Sequence, residues 1–438
     1  MIIKKIIVVS EAGPPIGNSV AEGGSLRAWG IAKSLADLGH SVTFMYRHGY
    51  QSDPDTKQLG ITIVQWKPGA ILPAEFTEAE YVIIRHSHAE AHQLARKLTV
   101  GQKLIVDCYI PIHVEVSARE SNDIFNEYLH FINDDARWLE IMSRGDYFLY
   151  ASESQKLYLL GYLSGCLMLN PLTYREIERR LIRLPYCYFR ADESHRITSK
   201  IDKPTLLWYG GLYSWFDIGS LVPGLLQIKN KYQDFQFILA GAKNPYVADP
   251  SLVAAYNSSM KTLEPIKDFL IEIPHQSYDK RFITYSKATA IVYINKSGLE
   301  NELAWRTRLV DYILAKKPII TNGGDPLGED LILNGLGLRL DITDKNSLLR
   351  VFDKAMNAQL TKDYSEIVQK YSWEYNIPNL SRVIEDGDRM ADNILKHDQV
   401  IKNANASRVK NSSIHRKVKF YYRQHGLKKT VKRAIKIK

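Results

Sequence analysis

Short uninterrupted apolar runs, separated by stretches of helical periodicity, constrain this 438-residue chain more than any other feature. In the first part they are KIIVVS, SVTFMY, ITIVQW, YVIIRH, KLIVDC and YFLYAS; in the second, TLLWYGG, FQFILAG, FLIEIP, AIVYIN and PIITNG. A strand that is apolar on both faces must be covered on both faces. Strands of this kind alternating with helices therefore predict parallel sheets with helices on either side. Two series predict two doubly wound domains, as the length also suggests. The break is expected in the polar stretch at 190–204, which ends in Pro204. In open parallel sheets ligands bind beyond the carboxyl ends of the strands, so the cleft between the domains is the expected site.

The stretch 306–325 shows the pattern at close range. Trp305, Leu309, Ile313 and Leu314 have helical spacing, Pro318 stops the helix, and Ile319 and Ile320 open a buried strand that ends in the turn NGGD. Arg308 and Asp311 are three apart and share a helix side, with Arg306 at the helix start.

Charge is distributed unevenly. Residues 399–438 hold thirteen Lys or Arg and no Asp or Glu, so the remainder sits at −3 against +10 for the whole chain. The body is mildly acidic and the tail is a basic appendix. The three cysteines, Cys108, Cys166 and Cys187, form no Cys-x-x-Cys pair, which points away from a zinc site or disulfide framework and fits a reducing compartment. The apolar run near the start is of strand length, shorter than a signal-peptide core. The uncharged stretch 157–174 is interrupted by Gly, Ser, Asn and Pro and reads as helix plus loop.

Three segments carry chemistry. In EGGSLRAWGIAKSLADLGHSV, residues 22–42, Gly23 and Gly24 precede Ser25 and a helix, so that backbone N–H groups can approach an anion; a plain strand-to-helix turn reads equally well. WYGGLYSWFDIGSLV, residues 208–222, repeats the device with Gly210 and Gly211 and adds the flat surfaces of Tyr213, Trp215 and Phe216; a packed aromatic turn with Asp217 as a cap is the plain alternative. NKSGLENELAW, residues 295–305, places Glu300 and Glu302 in a loop ahead of Arg306, Arg308 and Asp311. Carboxylates hold sugar or ribose hydroxyls and arginines grip a diphosphate bidentately, although a solvated face of ion pairs uses the same residue types.

These segments, in this order, resemble the group 1 (family 4) retaining glycosyltransferases, over roughly residues 5–396. IVDCYIPIHVE resembles that family's Asp-containing segment, and DYFLYASESQKLYLLGYLSGCLMLNPLTY is similar to a stretch of one subgroup, many of whose members belong to bacterial cell-surface polysaccharide clusters. YSWEYNIPNLSRVI, residues 371–384, resembles the crossover into a last helix that returns to the first domain. The resemblance implies a GT-B fold: an N-terminal Rossmann-like acceptor-side domain at 1–195, a nucleotide-sugar-binding domain at 203–375, a crossover helix at 376–398 and the basic tail at 399–438. It implies a nucleotide-sugar donor, a glycan or lipid-linked acceptor and retention of configuration, with no cofactor.

Asp311 matches the second acid of the family's Glu-x7-Glu motif, which holds the nucleotide ribose; the first would fall at Leu303, with Glu300 or Glu302 as replacements. The cations that usually follow the second domain's glycines are absent, since Leu212 and Phe216 stand near those places. The diphosphate is therefore assigned to Arg306 and Arg308, with the N–H groups of Gly23 and Gly24 and with Lys243 in AGAKNP as a further candidate. DPD at 53–55 and DGD at 386–388 are poorly placed for a divalent ion, so transfer independent of a metal is expected. Asp107, His86 and His88 end strands of the first domain and are the candidates to face the acceptor; a structural polar role is the alternative for each.

In the tail, HRKVKFYYRQHGLKKTVKRAIKIK at 415–438 interleaves cations with Val418, Phe420, Tyr421, Tyr422, Leu427, Val431 and Ile435. This predicts a basic amphipathic helix on an anionic membrane, hence a cytoplasmic enzyme peripheral to the inner face of the cell membrane and no specific nucleic acid partner. A disordered solubilising tail and non-specific nucleic-acid contact are the alternatives. For the whole chain the competing readings are a nucleotide-sugar epimerase on the same fold and a GT-B-like scaffold that binds glycan or protein without catalysis.

Overall fold

A computed structural model describes the chain apart from residues 1, 17–22, 50–59, 100, 120–122, 172, 191–202, 244–249, 277–279, 358–363 and 389–438. The first sheet contains β1 (Lys5–Ser10), β2 (Ser41–Arg47), β3 (Ile61–Trp66), β4 (Tyr81–Arg85), β5 (Lys103–Asp107), β6 (Tyr147–Tyr150) and β7 (Leu181–Arg183), in the order β3-β2-β1-β4-β5-β6-β7. The second contains β8 (Thr205–Tyr209), β9 (Gln236–Ala240), β10 (Leu270–Ile273), β11 (Ala290–Tyr293), β12 (Ile319–Thr321) and β13 (Gly337–Arg339), in the order β10-β9-β8-β11-β12-β13. Every pairing in both sheets is parallel. The expected runs all fall on strands; β7 and β13, at three residues each, are the additions.

The apolar runs are continuous because the central strands are buried on both faces: Ile7, Ile105, Phe148, Leu206, Ile291 and Ile320 are all at 0–1% exposure. Each sheet reverses its direction of growth once, between β1 and β4 and between β8 and β11. Those two points are where a doubly wound sheet leaves a crevice at its carboxyl edge.

The helix Thr307–Ala315 buries Leu309, Ile313 and Leu314, as its spacing predicts. It ends at Lys316, whose φ of 48° is left-handed, and the chain enters β12 after Pro318. The final described helix, Trp373–Asp386, lies against the first domain. Trp373 N–H donates to Tyr188 O at 2.9 Å, Tyr81 Oη donates to Val383 O at 3.2 Å, and the Trp373 ring occupies the space beside Gly30, where a Cβ would sit 2.3 Å from it. The basic tail lies outside the described residues. Among the described residues no helix is long and apolar enough to cross a membrane, and Glu153–Gly165 is a helix followed by turns.

Candidate active site

A cleft of about 420 Å³ lies between the carboxyl edges of the two sheets. Its walls follow β1, β4 and β5 on one side and β8, β9 and β10 on the other, so both reversal points open into it.

The second domain supplies the more completely built wall. Gly210 follows β8 with φ +109°, and a Cβ there would lie 2.6 Å from Arg308 Nε, so glycine is what allows the guanidinium to lie over the turn. Arg308 Nη2 donates to Gly211 O at 2.7 Å, and the guanidinium sits 4.8 Å from the Phe216 ring centroid and 5.6 Å from that of Tyr213. Its Nη1 is buried with no hydrogen-bond partner. A planar cation fixed by one carbonyl and two rings, with a donor left over, is suited to an anionic ligand. One turn further along, Asp311 also lines the cleft, 3.5 Å from the buried Arg281. Tyr312 donates to Tyr209 O at 2.8 Å and so ties this helix to the end of β8. Burial and then Asp311 push the Tyr209 phenol up to about 12, so it stays a neutral donor beside the carboxylate. His275 and Gln276, beyond β10, complete this side.

Gly23 and Gly24 open the helix Gly23–Asp37 on the opposite wall. Ser25 is buried and faces a small pocket of about 20 Å³ behind it, shared with Glu11, His88 and Asp107.

Other sequence candidates are placed differently. Arg306 is buried and does not line the cleft: Nη1 and Nη2 donate to Glu300 at 3.0 and 2.7 Å, and Nη2 to Asn301 Oδ1 at 2.9 Å. Glu300 and Glu302 belong to a short helix, Leu299–Leu303, rather than a loop. Glu300 borders a separate groove of about 550 Å³ and Glu302 is exposed. Leu303, in the place of the family's first acid, is buried. Lys243 is exposed, with its ammonium 5.9 Å from the Tyr256 ring centroid. Asp107 is buried and accepts two hydrogen bonds from the fully buried Arg27, at 2.7 and 2.8 Å. His86 stands with Nδ1 3.2 Å from Asp107 O, and burial lowers its pKa to about 4, leaving a neutral ring. His88 accepts from Glu90 N–H at 3.1 Å, and burial lowers it too.

Residues that the sequence reading passed over also line the cleft, notably Arg85 at the end of β4 and Glu115 on the helix Ile112–Ser117. Burial raises the Glu115 carboxyl pKa despite Arg119 at 3.6 Å. The signal for Arg85 is a charge closing an apolar strand, as in YVIIR. Glu115 falls within IVDCYIPIHVE and has no local pattern to mark it. Among the described residues no group of three His, Cys, Asp or Glu is arranged to hold a metal ion.

The architecture has counterparts among solved structures. The chain superposes on sucrose-phosphate synthase from Thermosynechococcus elongatus with a TM-score of 0.59 and 17% identity, covering 87% of this chain and 98% of that one. It superposes on Anabaena HepE in complex with UDP and glucose with a TM-score of 0.58 and 10% identity, covering 87% and 100%. The chain has the GT-B fold. An Escherichia coli trehalose-6-phosphate structure bound with UDP-2-fluoro glucose gives 0.51 at 12% identity over 91% and 98%. No family profile matches the sequence, and no curated protein matches it. At these identities the likeness establishes the GT-B architecture, and the chemistry rests on the cleft itself.

Proposed function

We propose that this protein is a glycosyltransferase that moves a sugar from a nucleotide-sugar donor to a glycan acceptor. The observation that carries the reading is the pair Arg308 and Asp311: one helix face presents a fixed guanidinium with an unpartnered donor and, one turn on, a carboxylate, both in the interdomain cleft. That spacing suits a diphosphate next to a ribose. Neighbours of the same fold in complex with UDP or a UDP-sugar support the assignment.

In the reaction the bond from the anomeric carbon to the β-phosphate oxygen breaks, and its electron pair goes to the phosphate. The acceptor oxygen bonds to that carbon from the same face, and its proton passes to the departing phosphate. An oxocarbenium-like state lies between. Arg308 neutralises charge on the leaving group, helped by N–H groups at Gly23 and Gly24, so the transfer needs no divalent ion. Asp311 accepts from the ribose hydroxyls. A lipid-linked acceptor of surface-polysaccharide type, with the enzyme held at the inner membrane face through its basic tail, is the setting we assign to it. The buried Leu303 and the engaged Glu300 favour the non-catalytic scaffold as a second reading, since neither is available to hold the donor sugar.

Calorimetric titration with UDP, GDP and dTDP tests the first reading. One of them binds, and Asp311→Ala weakens it by about tenfold to a hundredfold, the loss of a charged acceptor being about 1.5–3 kcal/mol. Slow hydrolysis of the matching nucleotide-sugar persists in EDTA. Binding without any donor turnover would favour the scaffold, and conversion of the donor sugar with no acceptor present would favour an epimerase.

A further inference from the structure

We propose that Arg85 is the first domain's half of the diphosphate site, binding a phosphate oxygen of the donor from the side opposite Arg308. The inference rests on the glycosyl-transfer reading and adds a residue that neither the sequence motifs nor the fold assigns.

Three observations converge on it. The first is position. Arg85 is the last residue of β4, and Glu11 directly follows β1, so the two flank the point where the first sheet reverses. Gly210 and the Arg308 guanidinium occupy the equivalent point of the second sheet. Both arginines line the same cleft.

The second is the space made for the guanidinium. A Cβ on Gly24 would lie 2.2 Å from Arg85 Nη1 and 3.2 Å from its Cζ. No side chain at position 24 is compatible with Arg85 where it stands, so this glycine leaves room for a cation and not only for a backbone approach. The adjoining Gly23 would place a Cβ 3.8 Å from Thr307 Oγ1, beside Arg308 on the facing domain. The first turns of the helices Gly23–Asp37 and Thr307–Ala315 therefore meet; Arg308 comes to the junction from the second helix, and Arg85 reaches it from the end of β4 beside Gly24.

The third is the state of the charge. Arg85 Nη2 donates to Glu11, whose second oxygen accepts from Ala89 N–H at 3.3 Å. Arg85 Nε is buried without a hydrogen-bond partner. Burial disfavours the cation, but Glu11 outweighs it and holds Arg85 protonated. Glu11 in turn lies below the usual carboxylate range: burial raises it, and Arg85 and His88 more than offset that. A guanidinium tethered on one edge by a carboxylate, with donors on the other edges, is oriented in advance of its ligand. Charge builds on the β-phosphate as the sugar leaves, and a second arginine from the opposite domain stabilises it there. It also makes a full grip depend on both domains at once.

Titrate the full-length protein and its Arg85→Gln, Glu11→Gln and Arg308→Gln variants with whichever of UDP, GDP and dTDP binds, and with the matching nucleoside. Arg85→Gln should weaken the diphosphate at least tenfold and leave the nucleoside unchanged. Glu11→Gln, which removes the competing charge and keeps an oxygen to orient the guanidinium, should tighten the diphosphate severalfold while lowering thermal stability. If Arg85 serves only the fold, both variants lose thermal stability together and diphosphate affinity does not move; that result overturns the proposal. Should Arg85→Gln fail to fold, Glu11→Gln decides: diphosphate affinity that fails to tighten there counts against Arg85 as the ligand. Weakening by Arg308→Gln with none by Arg85→Gln sinks the inference and spares the transferase reading. Absence of binding by all three diphosphates sinks both.

Discussion

Two arginines two positions apart stand in opposite settings, and the difference lies in what each guanidinium faces. Arg306 precedes the helix and folds back on Glu300 and Asn301, with 5% of its side chain exposed against 11% for Glu300. Arg308, inside the helix, turns with Asp311 toward the cleft. Replacing Arg306 by Met strands a largely buried carboxylate, which costs about 3–5 kcal/mol. That variant should show a lower urea midpoint with nucleoside diphosphate affinity retained in the folded fraction. Arg308→Met should do the reverse, losing affinity at least tenfold with a small change in midpoint. Equal effects on both quantities would dissolve the distinction. The i, i+3 spacing of Arg308 and Asp311 was readable in the sequence, whereas the Glu300–Arg306 pair links one short helix to the residue that precedes the next and obeys no period.

Asp325 in the NGGD turn illustrates a carboxylate under tension. It caps the helix Pro326–Leu333 by accepting from Gly328 N–H at 2.8 Å, while its Oδ2 is buried without a partner. Burial pushes its pKa up to about 6, against the pull of Arg306. The folded chain thus holds this proton more tightly than the unfolded chain, which releases it near 4. The stabilisation from this group is complete below pH ~4 and is lost as pH rises through about 6, a change of about 3 kcal/mol. Asn caps as well as Asp does. Asp325→Asn should therefore gain on the wild type in urea-melt stability between pH 4 and 7, and a constant difference across that window would refute the assignment.

At the scale of elements, the sequence was most legible where burial was two-sided. An uninterrupted apolar run has one physical explanation, and every strand found that way lies inside its sheet apart from β3 and β10 at the edges. β7 and β13 were missed because three residues at a sheet edge are too few to form a pattern. The short helix Leu299–Leu303 was read as loop for the same reason. The site was less legible than the fold: its glycines and the Arg308–Asp311 face were marked, but Arg85 and Glu115 reach the cleft through the sheet topology, which one sequence does not display.

The contact between the helices Gly23–Asp37 and Trp373–Asp386 is equally topological. Gly30 and Trp373 meet at a distance that leaves no room for a Cβ. Gly30→Val should displace the Trp373 ring, destabilising by about 1–3 kcal/mol through overpacking. Trp373 fluorescence should shift red as its surroundings loosen, and an unchanged melt and spectrum would show that the contact yields without cost.

For the whole molecule, the proposed function assigns nucleotide binding to the acidic body and membrane contact to the basic tail. Removing 399–438 changes the net charge from +10 to −3. Each cation that reaches an anionic surface contributes up to about 1 kcal/mol. The truncated protein should bind nucleoside diphosphate as the full chain does, because Arg308 and Asp311 lie far upstream, and should lose co-sedimentation with phosphatidylserine vesicles. Retained co-sedimentation would place the membrane contact in the body. Lost nucleotide affinity would make the tail part of the fold.

The chain passes between its domains and then returns, and the structure brings the two passages side by side. Tyr188, shortly after β7 on the outward path, forms a parallel bridge with Ser372 on the way back: Tyr188 N–H donates to Tyr371 O at 3.1 Å and Trp373 N–H to Tyr188 O at 2.9 Å. Two bodies joined by one flexible thread keep three rotational degrees of freedom. Two adjacent threads, cross-linked where they run together, leave chiefly one, a swing about an axis through that short stitch. A rotation of the domains about an axis through Tyr188 and Ser372 would leave both hydrogen bonds of that stitch intact, whereas a rotation that separates the two passages must break them.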